Sequence, residues 1–180
     1  MTTFYRNLMP GTVLWCVGGF LHADAFNSMD NIAFTVTGNI VNAVCHVDAP
    51  STVELGTWRR QDLAEGGSDA VAVELRLTEC AAGFTEATAS FTGIPYDNGA
   101  WAKSLYANNW DDGAQDLGLQ LVNGDGNPPV NLANGAHYTF ALDSQSKSGQ
   151  LTLLARLISP GGAPTVGEFS SAVTINFSYK

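Results

Sequence analysis

Cysteine is the residue type in this chain with the clearest chemistry, and there are three: Cys16, Cys45 and Cys80. Thiols at such spacings serve as a crosslink, a nucleophile or soft metal ligands. No Cys-x-x-Cys pair and no close histidine pair accompanies them, so a zinc site is not supported. The histidines His22, His46 and His137 are isolated, and neither His46 nor His137 has an acidic and a nucleophilic partner in a recognisable motif. The Gly-x-Ser-x-Gly turn of a serine hydrolase is missing from the sequence. Asp111-Asp112 and Asp125-Gly126-Asn127 have the look of calcium ligands, but neither continues into a loop with a distal Glu. Asp, Gly and Asn in such clusters build turns. Nothing calls for a carboxylate pair at glycosidase spacing. The expectation is a chain with no catalytic residues, no metal and no cofactor.

The elements around these residues are set by composition and pattern. The 180 residues suffice for one ordinary domain. Charged residues are 14% of the chain, against about 25% in an average soluble protein. The formal net charge is −9 with no cluster of Lys or Arg, which argues against binding to nucleic acid or anionic lipid. Arg6 is the only charge before Asp24, and the uncharged run Leu8 to Leu21 is followed by Ala23-Asp24-Ala25. That order is the one of a secretory signal, with cleavage expected after Ala25. The run contains Pro10, Gly11, Gly18 and Gly19 and is too short for a transmembrane helix, so no membrane span is expected in the mature chain. Cys16 leaves with the signal. An exported chain with only Cys45 and Cys80 reads as carrying one disulfide, the alternative being two buried free thiols.

The remainder alternates with period two. Ile32, Phe34, Val36, Gly38 and Ile40 share one face of an extended run that continues to Cys45. Val71 to Leu77, Ala87 to Phe91, Leu117 to Leu121 and Leu151 to Leu157 repeat the pattern, and the last run sets Phe169, Ser171, Val173, Ile175, Phe177 and Tyr179 on one face. Gly-, Asn- and Pro-rich turns separate these runs, and no stretch of a dozen residues keeps a 3.6 period. The spacing predicts an all-β sandwich in one domain. Two features fit poorly with a self-sufficient one. The run from Ile32 to Cys45 is more than twice the usual strand of about 5–6 residues. The most apolar strand also stops at the last residue, Lys180.

In this form the sequence resembles a chaperone–usher pilin, close to the type 1 fimbrial subunits of Gram-negative bacteria. The resemblance covers residues 26–180 and rests on Phe34-Thr35-Val36-Thr37-Gly38-Asn39-Ile40-Val41-Asn42-Ala43-Val44-Cys45, Val53-Glu54-Leu55-Gly56, Val73 to Cys80, Ala89-Ser90-Phe91-Thr92-Gly93 and Leu117-Gly118-Leu119-Gln120-Leu121. Gly167, fourteenth from the C-terminus, and penultimate Tyr179 complete it. Lys180 departs from the family, where an uncharged last residue is usual, and Asn109-Trp110-Asp111-Asp112 matches none of its motifs.

The resemblance implies an incomplete immunoglobulin-like β-sandwich lacking its last strand. A periplasmic chaperone first fills the groove, and the N-terminal extension of the next subunit then replaces it, a known case of β-augmentation. The implied organisation is a signal peptide over 1–25, a donor-strand extension over 26–37 and a pilin domain over 38–180. Ile32, Phe34, Val36, Gly38 and Ile40 would form the donor strand; Gly167, Phe169, Val173, Ile175, Phe177 and Tyr179 would form the groove and chaperone-recognition end. A glycine such as Gly38 inside a strand reads by itself as a β-bulge. The family instead has a glycine where one pocket is too shallow for a side chain, and the unbroken strand on either side favours that. The implied function is a structural subunit of a surface fimbria supporting cell adhesion, exported through the periplasm, with the chaperone, an outer-membrane usher and other pilin subunits as partners. Two rivals are a fimbrial adhesin or adaptor that binds carbohydrate directly, and a secreted hydrolase on a complete sandwich. Only 19 residues precede Cys45 after the expected cleavage, which argues against a separate lectin domain.

Overall fold

The computed structural model describes residues 45–96 and 99–180. The expected signal segment and the run from Ile32 to Val44 lie outside the described residues. Among the described residues seven strands form two antiparallel sheets. One is ordered β1 (His46–Asp48), β2 (Val71–Thr78), β6 (Gly149–Ile158), β4 (Gly118–Asn123); the other is β5 (His137–Ala141), β3 (Glu86–Gly93), β7 (Val173–Tyr179). The sandwich expected from the period-two pattern is therefore present.

The alternation explains the packing. On β2 the side chains of Val73, Leu75 and Leu77 are buried while Glu74 and Arg76 face solvent, where they pair at 2.6 Å. Leu151, Leu153, Ala155 and Leu157 of β6 and Leu119 and Leu121 of β4 fill the same side, and Ala87, Ala89 and Phe91 come from β3. Burying an aliphatic or aromatic side chain contributes about 1.5–3 kcal/mol, so these rows supply most of the driving force. Two large buried polar side chains are paired. Buried Asn123 accepts from the Val130 N–H and bonds the Tyr138 hydroxyl at 3.1 Å. Fully buried Tyr106 donates to the Leu132 carbonyl at 2.7 Å, and burial raises its pKa to about 12.

Two elements differ from the sequence expectation. The final run was expected to be strand from Phe169, but β7 begins at Val173. Its ladder partner β3 ends at Gly93, the residue paired with Val173, so nothing on that sheet continues the ladder upstream. A Cβ at Gly93 would lie 2.8 Å from the Ala172 carbonyl oxygen, which shows how closely the chains cross there. The strand β5 was not foreseen; its only inward residues are Tyr138 and Phe140, too short a signal to stand out. Short helices complete the fold: α1 (Arg60–Ala64), which buries Leu63, and a 3₁₀ turn over Gly99–Lys103.

Candidate functional site: the open edge of β7

β7 has β3 on one side, and among the described residues no strand lies on the other. The register defines what that edge presents. Lys180 N–H donates to the Glu86 carbonyl at 3.0 Å and Glu86 N–H to the Lys180 carbonyl at 3.1 Å, so Glu86 and Lys180 are a hydrogen-bonded pair. Such pairs alternate along an antiparallel ladder. Thr174, Asn176 and Ser178 therefore bond to β3, while Val173, Ile175, Phe177 and Tyr179 direct their N–H and C=O groups to the open edge.

Those same residues point their side chains toward the core and are only half-buried, in contrast to the fully buried row of β3 beside them. The phase continues upstream of the strand. The Ser170 carbonyl accepts from Asn109 N–H at 2.7 Å and the Glu168 carbonyl from Ala114 N–H at 2.9 Å. The Asn108 side chain accepts from Ser170 N–H at 2.9 Å and donates to the carbonyls of Glu168 at 2.8 Å and Ala114 at 3.0 Å. Residues 168 and 170 are thus held on the side that β3 occupies further along. Phe169 and Ser171 keep the phase of the open edge and are half-buried too.

Val53 and Leu55 also pack against the core. Both are half-buried between exposed Thr52, Glu54 and Gly56, and both pack on the main core with Phe169, Val173, Ile175 and Phe177. Residues 49–59 are not assigned to any strand. Among the described residues the sandwich is thus open along the edge of β7, a seam of half-buried apolar side chains with no ladder partner.

A side-chain cluster flanks each end of the row. At one end Cys45 and Cys80 are joined in a disulfide, as expected, with a Cα–Cα distance of 4.0 Å, and they pack with Leu77, Ala87 and Leu142. Tyr179 meets Phe84 there edge-on at 6.2 Å, and Phe177 meets Phe140 at 6.3 Å. Burial raises the Tyr179 pKa. At the other end Leu55, Trp58 and Phe169 pack on Leu63, Ala114, Leu117 and Leu157.

Val173, Ile175, Phe177, Tyr179 and Phe169 of the sequence-derived set thus stand in one row. Gly167 lies apart from it, exposed, with its backbone against the 113–114 turn: a Cβ there would lie 2.5 Å from the Ala114 nitrogen. Ile32, Phe34, Val36, Gly38 and Ile40 fall outside the described residues. Sequence reasoning placed Ser171 on this face without counting it in the site, and it missed the core packing of Val53 and Leu55 and the Asn108 clasp. Asp111 and Asp112 sit in the turn after that clasp, as turn chemistry suggested. Among the described residues no group of three or more potential metal ligands is found, and no helix is long and apolar enough to cross a membrane.

A sequence profile of the fimbrial protein family matches residues 34–180. The chain belongs to that family. It is 29% identical over 174 residues to protein FimG of Escherichia coli K12, covering 92% of this chain and 98% of FimG. The type-1 fimbrial protein A chain of the same strain is 28% identical over 149 residues, covering 79% of this chain and 80% of the relative. The crystal structure of the P pilus rod subunit PapA superimposes with a TM-score of 0.60 at 19% identity, over 77% of this chain and 100% of PapA. The protein is accordingly a structural subunit of a pilus, a surface component exported through the periplasm. Its relatives are structural fimbrial proteins rather than enzymes, and the carbohydrate-binding alternative is not favoured. The open seam is the incomplete immunoglobulin-like sandwich that the resemblance implied.

Proposed function

We propose that the open edge of β7 is an acceptor for an extended strand, filled first by a periplasmic chaperone and then, at an outer-membrane usher, by residues 26–40 of the next subunit. The observation that carries this is the coincidence of two unmet demands in one row. Among the described residues, Val173, Ile175, Phe177 and Tyr179 present ladder groups without a strand partner and half-buried apolar side chains together. An edge of this kind invites pairing and is an aggregation hazard until covered.

The occupant must bring N–H and C=O groups at strand spacing and an apolar side chain at every second residue. Ile32, Phe34, Val36 and Ile40 supply that alternation without a proline, and Gly38 continues it. The segment is freed for the task by cleavage of residues 1–25. Four buried apolar side chains contribute about 1.5–3 kcal/mol each, enough to hold a fibre when they all fit.

The test is fibre assembly by the full chain carrying Phe34→Asp, beside circular dichroism of the chaperone-bound subunit. A carboxylate carried into the neighbour's apolar seam has no partner, so assembly should stop while the subunit stays folded. Normal polymerisation of Phe34→Asp, or loss of its fold, would refute strand donation by this segment.

A further inference from the structure

Ser171 Oγ is buried and has no hydrogen-bond partner, the one side-chain polar atom in that condition among the described residues. It stands in the open-edge row between Phe169 and Val173, where every other side chain is apolar or aromatic. A buried hydroxyl left unpaired is a standing cost, and its residue stands in the row along which an incoming strand would pair.

We infer that Ser171 is a specificity-determining residue that sets the register of the incoming strand by hydrogen-bonding to its main chain beside Gly38. This rests on the strand-acceptor reading above. Apolar burial alone does not fix the register, because a slip of two residues returns every apolar side chain to the inward face. Only position-specific features break that degeneracy. In the donor row Gly38 is the one position without a side chain, and in the acceptor row Ser171 is the one small polar residue. With Gly38 beside Ser171 the hydroxyl can reach main chain, because no side chain covers it.

All ladders of the fold are antiparallel, and an antiparallel donor in this register places Val36 beside Val173, Phe34 beside Ile175, Ile32 beside Phe177 and Ile40 beside Phe169. Asp30 then falls at Tyr179, next to the cationic Lys180 at the seam's end. A slip of two in one direction covers Ser171 with Ile40. A slip in the other covers it with Val36 and carries the Asp30 carboxylate inward over Phe177, where it has no counter-charge. Both leave the hydroxyl orphaned.

The experiment reads the register in fibres of the full chain. Ile175→Cys is combined in turn with Ile32→Cys, Phe34→Cys and Val36→Cys, and intersubunit disulfides are scored on non-reducing gels after mild oxidation. A residue directly opposite on a paired strand lies within disulfide reach, while one two positions along does not. The Phe34→Cys pair should exceed the other two by about tenfold, the scale of one net hydrogen bond. Adding Ser171→Ala should reduce that preference to about two- to threefold, and Ser171→Thr, which keeps a hydroxyl, should restore it. If Ile175→Cys does not fold, Val173→Cys takes its place with Val36→Cys as the expected partner. A preference unchanged by Ser171→Ala, or a different dominant pair with Ser171 present, would overturn the inference while leaving strand donation intact. Fibres that form but cross-link at none of the three positions would overturn strand donation itself.

Discussion

Cys45, Asp116 and Gly167 each have a role that a single substitution can isolate. The Cys45–Cys80 disulfide closes a sequence separation of 35 residues at the end of the seam. Cross-links of this loop size restrict the unfolded chain and contribute roughly 3–4 kcal/mol. Cys80→Ser should therefore lower the denaturation midpoint and the periplasmic yield strongly, and peptide mapping without reductant should recover the two segments joined. At Asp116 burial opposes ionisation, but hydrogen bonds from Ala163 N–H, Gly161 N–H, the Ser159 hydroxyl and Tyr96 OH outweigh it and hold the carboxyl below its usual value. A carboxyl depressed in the folded state stabilises above its unfolded pKa near 3.9, and that contribution is lost as pH falls through the lower, folded value. Asp116→Asn should accordingly flatten the acid limb of melting temperature against pH below about pH 4, with the neutral side lowered. At Gly167 the obstacle is main chain, since Gly113 and Ala114 occupy the space a methyl group would need. Gly167→Ala should cost about 1–3 kcal/mol by urea denaturation of the chaperone-bound subunit.

At the scale of elements, β7 and the 168–171 segment before it are held by different means. β7 is fastened by its ladder to β3, whereas residues 168 and 170 depend on the 108–114 turn and above all on the Asn108 side chain, which satisfies four main-chain groups, those of Trp110, Ala114, Glu168 and Ser170. Asn108→Ala should release that segment without touching β7. The expected readout is faster amide hydrogen exchange over residues 168–171, with protection of β3 and β7 unchanged, and a loss of about 1–3 kcal/mol from the polar groups left unpaired. Truncation before Phe177 acts on the ladder itself. It removes Phe177 and Tyr179 from the open row and breaks their aromatic contacts with Phe140 and Phe84. Co-purification with the chaperone should then fail, and normal recovery of the complex would count against the open edge as the docking surface.

The molecule as a whole behaves as two unequal surfaces. The outer face of one sheet carries Thr88 with Thr139 and Ser90 with His137, each pair hydrogen-bonded at 2.8 Å, that of the other carries the Glu74–Arg76 pair, and the net charge of −9 keeps chains apart. The seam beside β7 is the contrary surface, apolar and, among the described residues, without a ladder partner. A subunit built this way is stable in company and at risk alone. Gly38 replaced by a bulky residue should block fibre growth, seen by electron microscopy or gel, while the chaperone-bound subunit keeps its circular dichroism spectrum. The segment that carries Gly38 is proposed to complete a neighbour's core, so the defect should appear only between subunits.

Much of this was legible in the order of residues because strands report themselves. Alternation is a local property, so β2, β3, β4 and β6 stood out from Val71, Ala87, Leu117 and Leu151 onward, and the two exported cysteines identified their own bond. Family motifs from Phe34 to Tyr179 carried the pilin reading, which the profile match bears out. What only the folded chain decided was which edges stay empty. Sequence shows that Val173, Ile175, Phe177 and Tyr179 face one way, but whether a neighbour covers them depends on where β3 ends, where residues 49–59 run and what Asn108 holds. Val53, Leu55 and Ser171 acquire their roles in the same way, from residues more than a hundred positions distant in the first two cases. Hydrogen-bond satisfaction is a property of the assembled sheet rather than of any segment. An orphan hydroxyl such as that of Ser171 therefore becomes visible only once every other partner has been placed.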